Sequence, residues 1–166
     1  MKTLRQALPG GGNRGHLDKS SVTQVVLPAE DSSVPAARAF ATAVLARCGV
    51  TAEDARLLVT ELASNATRAA RDTACRQILV RVSCRPGTVL IEVGDASSAL
   101  PVPAPPGVAR GEHGRGLALV ARLASDWGWY RVGVVKIVWA EVPACAAGPG
   151  ATGSAAAAGA PGRRAA

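Results

Sequence analysis

The stretch Leu57–Ala70, LLVTELASNATRAA, most constrains how this chain folds. Its apolar residues recur at helical spacing, so it reads as a core helix. It also places Glu61 and Asn65 four residues apart, on one helical face. A helix that only packs rarely carries a carboxylate and an amide there, because buried polar groups cost free energy unless they find partners. Two accounts stay open at this point. The pair sits on the solvent side of an amphipathic helix, or it faces a site.

The flanking segments give this helix its context. Val22–Leu27 is short, apolar and β-branched, and Pro28 ends it, which predicts a strand. Ser32 and Ser33 are candidate N-caps and Pro35 suits a first helical turn. Ala37, Phe40, Ala41, Val44, Leu45 and Cys48 then follow helical spacing, and Gly49 closes that helix. Thr51 is expected to open the next helix, with Asp54 as its capping-box partner, and this helix runs to about Ala70. Ile78, Val80, Val82 and Cys84 alternate with Arg81, Ser83 and Arg85, a half-buried strand. Pro86-Gly87 marks a turn, and Val89, Ile91 and Val93 continue as the antiparallel partner, ending at Gly94-Asp95. Ala96–His113 has no periodicity and many prolines and glycines. Such a long irregular segment inside a domain suggests a lid. Leu117, Leu119, Val120 and Leu123 fit a helix from about Gly114 to Ser125, broken by Gly128. Trp129–Val132 and Val135–Val142 read as a final hairpin around Gly133.

This order predicts an α+β fold, loosely an α/β two-layer sandwich. Its sheet is mixed but mostly antiparallel, with helices on one face. A parallel nucleotide fold is not indicated, because no βαβ crossover with a Gly-rich first turn occurs. The folded domain is expected over residues 22–142. Residues 1–21 are Gly-rich and read as a disordered tail. Residues 143–166 are an Ala/Gly/Pro tail without a large apolar side chain, and so cannot build a core.

Composition narrows the function. The chain carries a formal charge of +7 over 166 residues. Most of it lies in the flanks, with +3 over residues 1–24 and +2 over residues 143–166. A dense basic face for nucleic acid on the domain is not indicated. The four cysteines form no CxxC pair and only two histidines occur, which argues against a zinc site or a disulfide framework. No apolar run approaches the ~20 residues of a membrane span, and a cytoplasmic location is expected.

ATP chemistry suits what remains. A triphosphate needs a divalent cation held by oxygen ligands, and Asn65 can supply one carbonyl oxygen. Glu61, a helical turn away, can accept a proton from a nucleophile beside the γ-phosphate. Asp95, at a buried strand end, can accept from the exocyclic amino group of adenine. Gly114 and Gly116 let backbone amides at a helix start approach phosphate, and Arg110 and Arg115 can add charge at the lid. Each feature alone has a plainer account: Asp95 as a turn residue, the glycines as a loop. There is no GxxxxGK[ST] loop, so a Walker-type site is excluded.

Together, these blocks resemble the histidine-kinase-like ATPase (Bergerat) superfamily. Glu61-Leu-Ala-Ser-Asn65-Ala resembles its N-box, and Glu92-Val-Gly-Asp95 its adenine-binding box. Gly114-Arg-Gly116-Leu-Ala-Leu-Val resembles its second glycine box, and Val135-Lys-Ile-Val-Trp-Ala-Glu141 its last strand. Within it, the chain is most similar to the short bacterial anti-sigma-factor serine/threonine kinases. The resemblance implies Asn65 as the Mg²⁺ ligand, Asp95 as the adenine reader and Glu61 as the catalytic base. Gly114, Arg115, Gly116 and Leu117 would border the nucleotide. It further implies ATP and Mg²⁺ as cofactors, and transfer of the γ-phosphate to a hydroxyl of an anti-sigma-factor antagonist. A sigma factor would be the other partner. A homodimer would fit the family, although no apolar stripe in the sequence argues for one. The chain departs from the pattern at Ala69, where many relatives have His, at Ser97-Ser98, and at Ile137, where Thr is common. These departures keep a second function open: an ATP-dependent binding module that sequesters a sigma factor or other partner with little turnover.

Overall fold

The computed structural model describes residues 5–6, 21–101 and 115–146. In chain order the elements are β1 (Arg5–Gln6), β2 (Ser21–Pro28), α1 (Ser33–Cys48), β3 (Val50–Thr51) and α2 (Glu53–Ala70). There follow β4 (Gln77–Arg85), β5 (Thr88–Asp95), α3 (Arg115–Leu123), β6 (Asp126–Val132), β7 (Val135–Pro143) and β8 (Cys145–Ala146). The main sheet runs β1-β6-β7-β5-β4-β2. Every pairing in it is antiparallel except β1 with β6. The chain is thus an α+β sandwich with a mixed, mostly antiparallel sheet.

Period-two alternation decides the layers. Val80 and Val82 of β4, Val89, Ile91 and Val93 of β5, and Ala140 and Val142 of β7 are all buried in one core. The hairpin register puts Val80 beside Val93 and Val82 beside Ile91, so these side chains share a face. Pro86-Gly87 makes the connecting turn. Gly87 has φ 74°, the value that the third position of a type II turn requires after a proline. The helices cover this face. From α2, Ala55, Leu58, Val59, Leu62, Ala63, Ala66, Thr67 and Ala70 are buried at three- and four-residue steps. Burying a side chain the size of Leu58 or Leu62 contributes about 1.5–3 kcal/mol. α1 adds Ala37, Ala41, Val44 and Leu45, and α3 adds Leu117 and Val120.

The opposite face of the sheet is held by polar contacts. The Tyr130 hydroxyl donates to Glu92 Oε1 at 2.6 Å. Arg81 Nη1 donates to Glu92 Oε2 at 3.3 Å, and Arg81 Nε to Gln24 Oε1 at 3.3 Å.

Several local expectations are corrected. α2 begins at Glu53 after Ala52, which has no side chain to cap it, so no Thr51–Asp54 capping box forms. Thr51 lies instead in β3, paired with Cys145, and its hydroxyl donates to the Cys145 carbonyl at 3.5 Å. Ser32 stands at the N-cap of α1 without a capping bond. The Ser33 hydroxyl donates to the Pro28 carbonyl at 2.6 Å, tying helix to strand. Gly49 closes α1 in the left-handed conformation, as its position predicts. α3 ends at Leu123, before Gly128, which sits inside β6 opposite Trp139. The strand starts early because the Ser125 amide bonds to the Glu141 carbonyl at 2.8 Å and Trp127 is buried in the core. Two short pairings extend beyond residues 22–142: β1 against β6, and β8 against β3. Residues 96–101 are irregular, as predicted. The rest of the expected lid, 102–113, and most of both expected tails lie outside the described residues.

Candidate nucleotide site

Glu61 and Asn65 occupy neither the solvent face of α2 nor its core. Both are half-buried, at the border of the buried stripe. What borders them is the first turn of α3. A Cβ placed on Gly116 would stand 2.5 Å from Glu61 Oε2 and 3.2 Å from Asn65 Nδ2. A residue without a side chain leaves the Glu61 and Asn65 side chains where they stand. Two segments far apart in sequence, the Glu61/Asn65 turn of α2 and Gly116 at the start of α3, therefore meet at one point.

A cavity of about 360 Å³ opens beside this junction. Leu62, Asn65, Ala69 and Arg68 line it from α2, Leu117 from α3, Val93 and Asp95 from β5, and Lys136 and Val138 from β7. Ala99, Leu100 and Pro101 of the irregular segment close one side. Its walls are mainly apolar with a few convergent polar groups, as is usual for small-molecule sites. Arg68 Nη1 lies 3.5 Å from Asn65 Oδ1 at the rim. A second, shallower groove is lined by Glu61, Gly116, Ala118, Leu119 and Arg122. Glu61 and Asn65 thus look into adjoining spaces divided by Gly116.

Asp95 is the polar anchor of the cavity. It ends β5 on the core face, only 3% exposed. Its Oδ1 accepts from the Ser97 backbone N–H at 2.8 Å and lies 3.1 Å from Lys136 Nζ. Lys136 is 4% exposed. An ion pair this buried is tolerable only when its remaining donors and acceptors are also satisfied. The ammonium meets that demand through Ser97 Oγ at 2.7 Å and the Ala99 carbonyl at 2.9 Å.

Of the residues singled out in the sequence, Glu61, Asn65 and Gly116 converge, and Asn65, Asp95 and Leu117 share one cavity. Arg115 is the first residue of α3. Arg110 and Gly114 lie outside the described residues. Ile137 does not face the cavity. It pairs with Gly94, and its Cγ1 comes within 3.5 Å of a Cβ built there. The polar group that the last strand offers the cavity is its neighbour Lys136. Sequence reasoning passed over Lys136 because its role depends on strand register, which sets it opposite Asp95. The one signal is a lysine in a strand whose only other charged residue is Glu141.

For a divalent cation, the described residues offer no group of three or more His, Cys, Asp or Glu side chains. The donor set fits an ion that arrives with a triphosphate, keeps phosphate and water oxygens, and takes one protein oxygen from Asn65. The described residues also contain no helix long and apolar enough to cross a membrane.

The site joins Glu61, Asn65 and Gly116 at the α2–α3 junction to Asp95 in the adjoining cavity, and the sequence carries no GxxxxGK[ST] phosphate loop. The chain belongs to the histidine kinase-like ATPase domain family, whose model matches residues 27–141. Among solved structures it is similar to the RsbU and RsbW domains of Rv1364c from Mycobacterium tuberculosis. That likeness has a TM-score of 0.56 and 19% identity, and covers 75% of this chain. The chain spans a third (33%) of that structure's chain, and at this identity the likeness speaks for the fold. No curated protein matches the sequence.

Proposed function

We propose that this chain is an ATP-binding regulatory protein of the anti-sigma-factor type, a serine/threonine kinase that phosphorylates an antagonist protein. The observation that carries the reading is the closure of Gly116 onto both Glu61 and Asn65 beside a cavity that holds Asp95. Adenine enters between Leu62, Val93 and Val138, and its amino group donates to Asp95. The phosphates extend toward the start of α3, where helix amides favour anions. Asn65 would hold Mg²⁺ through its side-chain oxygen, and the ion would offset charge on the phosphate oxygens. Glu61 accepts the proton of an incoming hydroxyl from the groove along Ala118, Leu119 and Arg122. As the new O–P bond forms, the bond from the γ-phosphorus to the bridging oxygen breaks and ADP leaves. Such a transfer relies on positioning and charge more than on covalent help, so one base and one ligand suffice. A cytoplasmic location, where ATP is available, goes with this reading.

The test is label transfer from γ-labelled Mg·ATP to candidate antagonist proteins, with Glu61→Ala and Asn65→Ala as variants. Glu61→Ala is expected to keep nucleotide binding and lower transfer by about 10²–10⁴-fold, the usual contribution of a positioned base. Asn65→Ala is expected to lose both. ATP binding without transfer to any antagonist overturns the kinase reading. One observation favours the second reading, a module that holds a sigma factor in its ATP-bound form without turnover. Ala69 lines the cavity at the position where many members of the resembled family carry a histidine. In that case Glu61→Ala leaves partner binding intact and Asn65→Ala abolishes it.

A further inference from the structure

The Lys136 ammonium is buried in the cavity wall beside Asp95, within reach of three acceptors. Those acceptors are Asp95 Oδ1, Ser97 Oγ and the Ala99 carbonyl. An ammonium has three donors and no acceptor, so it is fully satisfied without a ligand. Asp95 Oδ1 is likewise satisfied, by Lys136 and the Ser97 amide. Oδ2 makes no hydrogen bond among the described residues, and it belongs to a residue that lines the cavity. Arg131 Nη2 donates to the Ser97 carbonyl at 3.0 Å, so Ser97 is gripped through amide, hydroxyl and carbonyl at once. The same short segment supplies Ala99, Leu100 and Pro101 to the cavity wall.

We infer that Lys136 is a positioning residue for base recognition: it fixes Asp95 so that a single carboxylate oxygen, Oδ2, meets the base, and it pins the wall segment 97–101 around that base. The inference rests on the proposed nucleotide function. A lone acceptor suits a purine with one amino donor at that edge. It suits guanine poorly, since guanine presents two adjacent donors and would need both carboxylate oxygens. Ile137 cannot substitute, because it lies on the other face of the strand. Without the lysine, Asp95 can rotate, and the burial of its charge goes unbalanced.

The experiment compares binding of ATP with binding of purine riboside 5′-triphosphate, which has hydrogen where adenine has the amino group. It uses the full chain and the variants Lys136→Met and Ser97→Ala, with tryptophan fluorescence and thermal melting to verify folding. The wild type is expected to prefer ATP by about tenfold or more, since a site built to accept a donor discriminates against its absence. In Lys136→Met both triphosphates are expected to bind more weakly, ATP by much more, so that the preference collapses to within about threefold. A merely structural lysine would weaken both ligands equally and leave their ratio unchanged. Ser97→Ala keeps the charge pair and removes one anchor. It is expected to lower the preference about threefold, and it carries the test if Lys136→Met does not fold. An unchanged ratio in a folded variant overturns the inference and leaves the nucleotide function standing. If the wild type binds neither triphosphate, the proposed function falls and this inference falls with it.

Discussion

Gly116→Ala separates the site from the fold more cleanly than any substitution of a polar residue. The added methyl would lie 2.5 Å from Glu61 Oε2, whereas ordinary contact begins near 3.4 Å. The carboxylate must retreat by about 0.9 Å, and Asn65 Nδ2, at 3.2 Å, by a few tenths. Both atoms are side-chain tips and no backbone atom stands in the way. Alanine is better than glycine in a helix by up to about 1 kcal/mol. That gain opposes the repacking cost, so net stability should change by less than about 1 kcal/mol, a few degrees in Tm. Function responds differently. A misplacement of about 1 Å in a reacting group costs on the order of a hundredfold in rate. Gly116→Ala should therefore melt within a few degrees of the wild type, bind Mg·ATP about tenfold more weakly, and lose about a hundredfold of any phosphotransfer. Circular dichroism, calorimetry and label transfer read the three quantities. Wild-type affinity together with wild-type transfer would refute the convergence of Glu61, Asn65 and α3 on one nucleotide. A large fall in Tm would refute the claim that only side-chain tips oppose the methyl.

Two further predictions concern titrating groups away from the cavity. Tyr130 is the only tyrosine, so ultraviolet titration reports it alone. Burial, then its hydrogen bond to Glu92, pushes its pKa up to about 12 from an ordinary 10. Folding thus favours the protonated phenol. The associated stability is present below pH 10 and is lost as pH rises toward 12; a native midpoint near 10, or no loss of this stability over that interval relative to Tyr130→Phe, would contradict the contact. Cys84 is buried, and burial followed by the neighbouring Cys48 thiol pushes its pKa up to about 12. An alkylating reagent at pH 8 should label exposed Cys75 and Cys145 in the native protein and reach Cys84 only after unfolding. Mass spectrometry that finds native Cys84 labelled as fast as Cys75 would count against its packing.

How far the sequence reveals this fold depends on whether the deciding force is local. The alternation from Ile78 to Cys84 and from Val89 to Val93 predicts the central hairpin, because each strand writes its buried face into neighbouring residues. The helical spacing from Leu58 to Ala70 does the same for α2. Thr51 has every local mark of a cap and forms none. Its backbone and hydroxyl are engaged by Cys145, 94 positions away. Gly128 looks like a helix breaker, yet the helix has already ended because Ser125 is captured by Glu141 on a neighbouring strand. Within the site, Glu61 and Asn65 are visible as a pair one turn apart, and Gly116 as a glycine at a helix start. Their mutual contact is not visible, since it depends on how α3 docks on α2. Lys136 is least visible of all: nothing near it in sequence points to Asp95, and only the β5–β7 register joins them.

β5, the strand that carries Asp95, is hydrogen-bonded on both flanks, by β4 and by β7. α3, nine residues long and seated on α2 and β6, gives the cavity only Leu117 and instead walls the adjoining groove. Cavity and groove accordingly tolerate inheritance of change unequally. Substitutions that tilt or shift α3 reshape the groove, while the strand lattice under the cavity stays as it was. A lineage of such chains can vary that outer surface without disturbing the cavity floor.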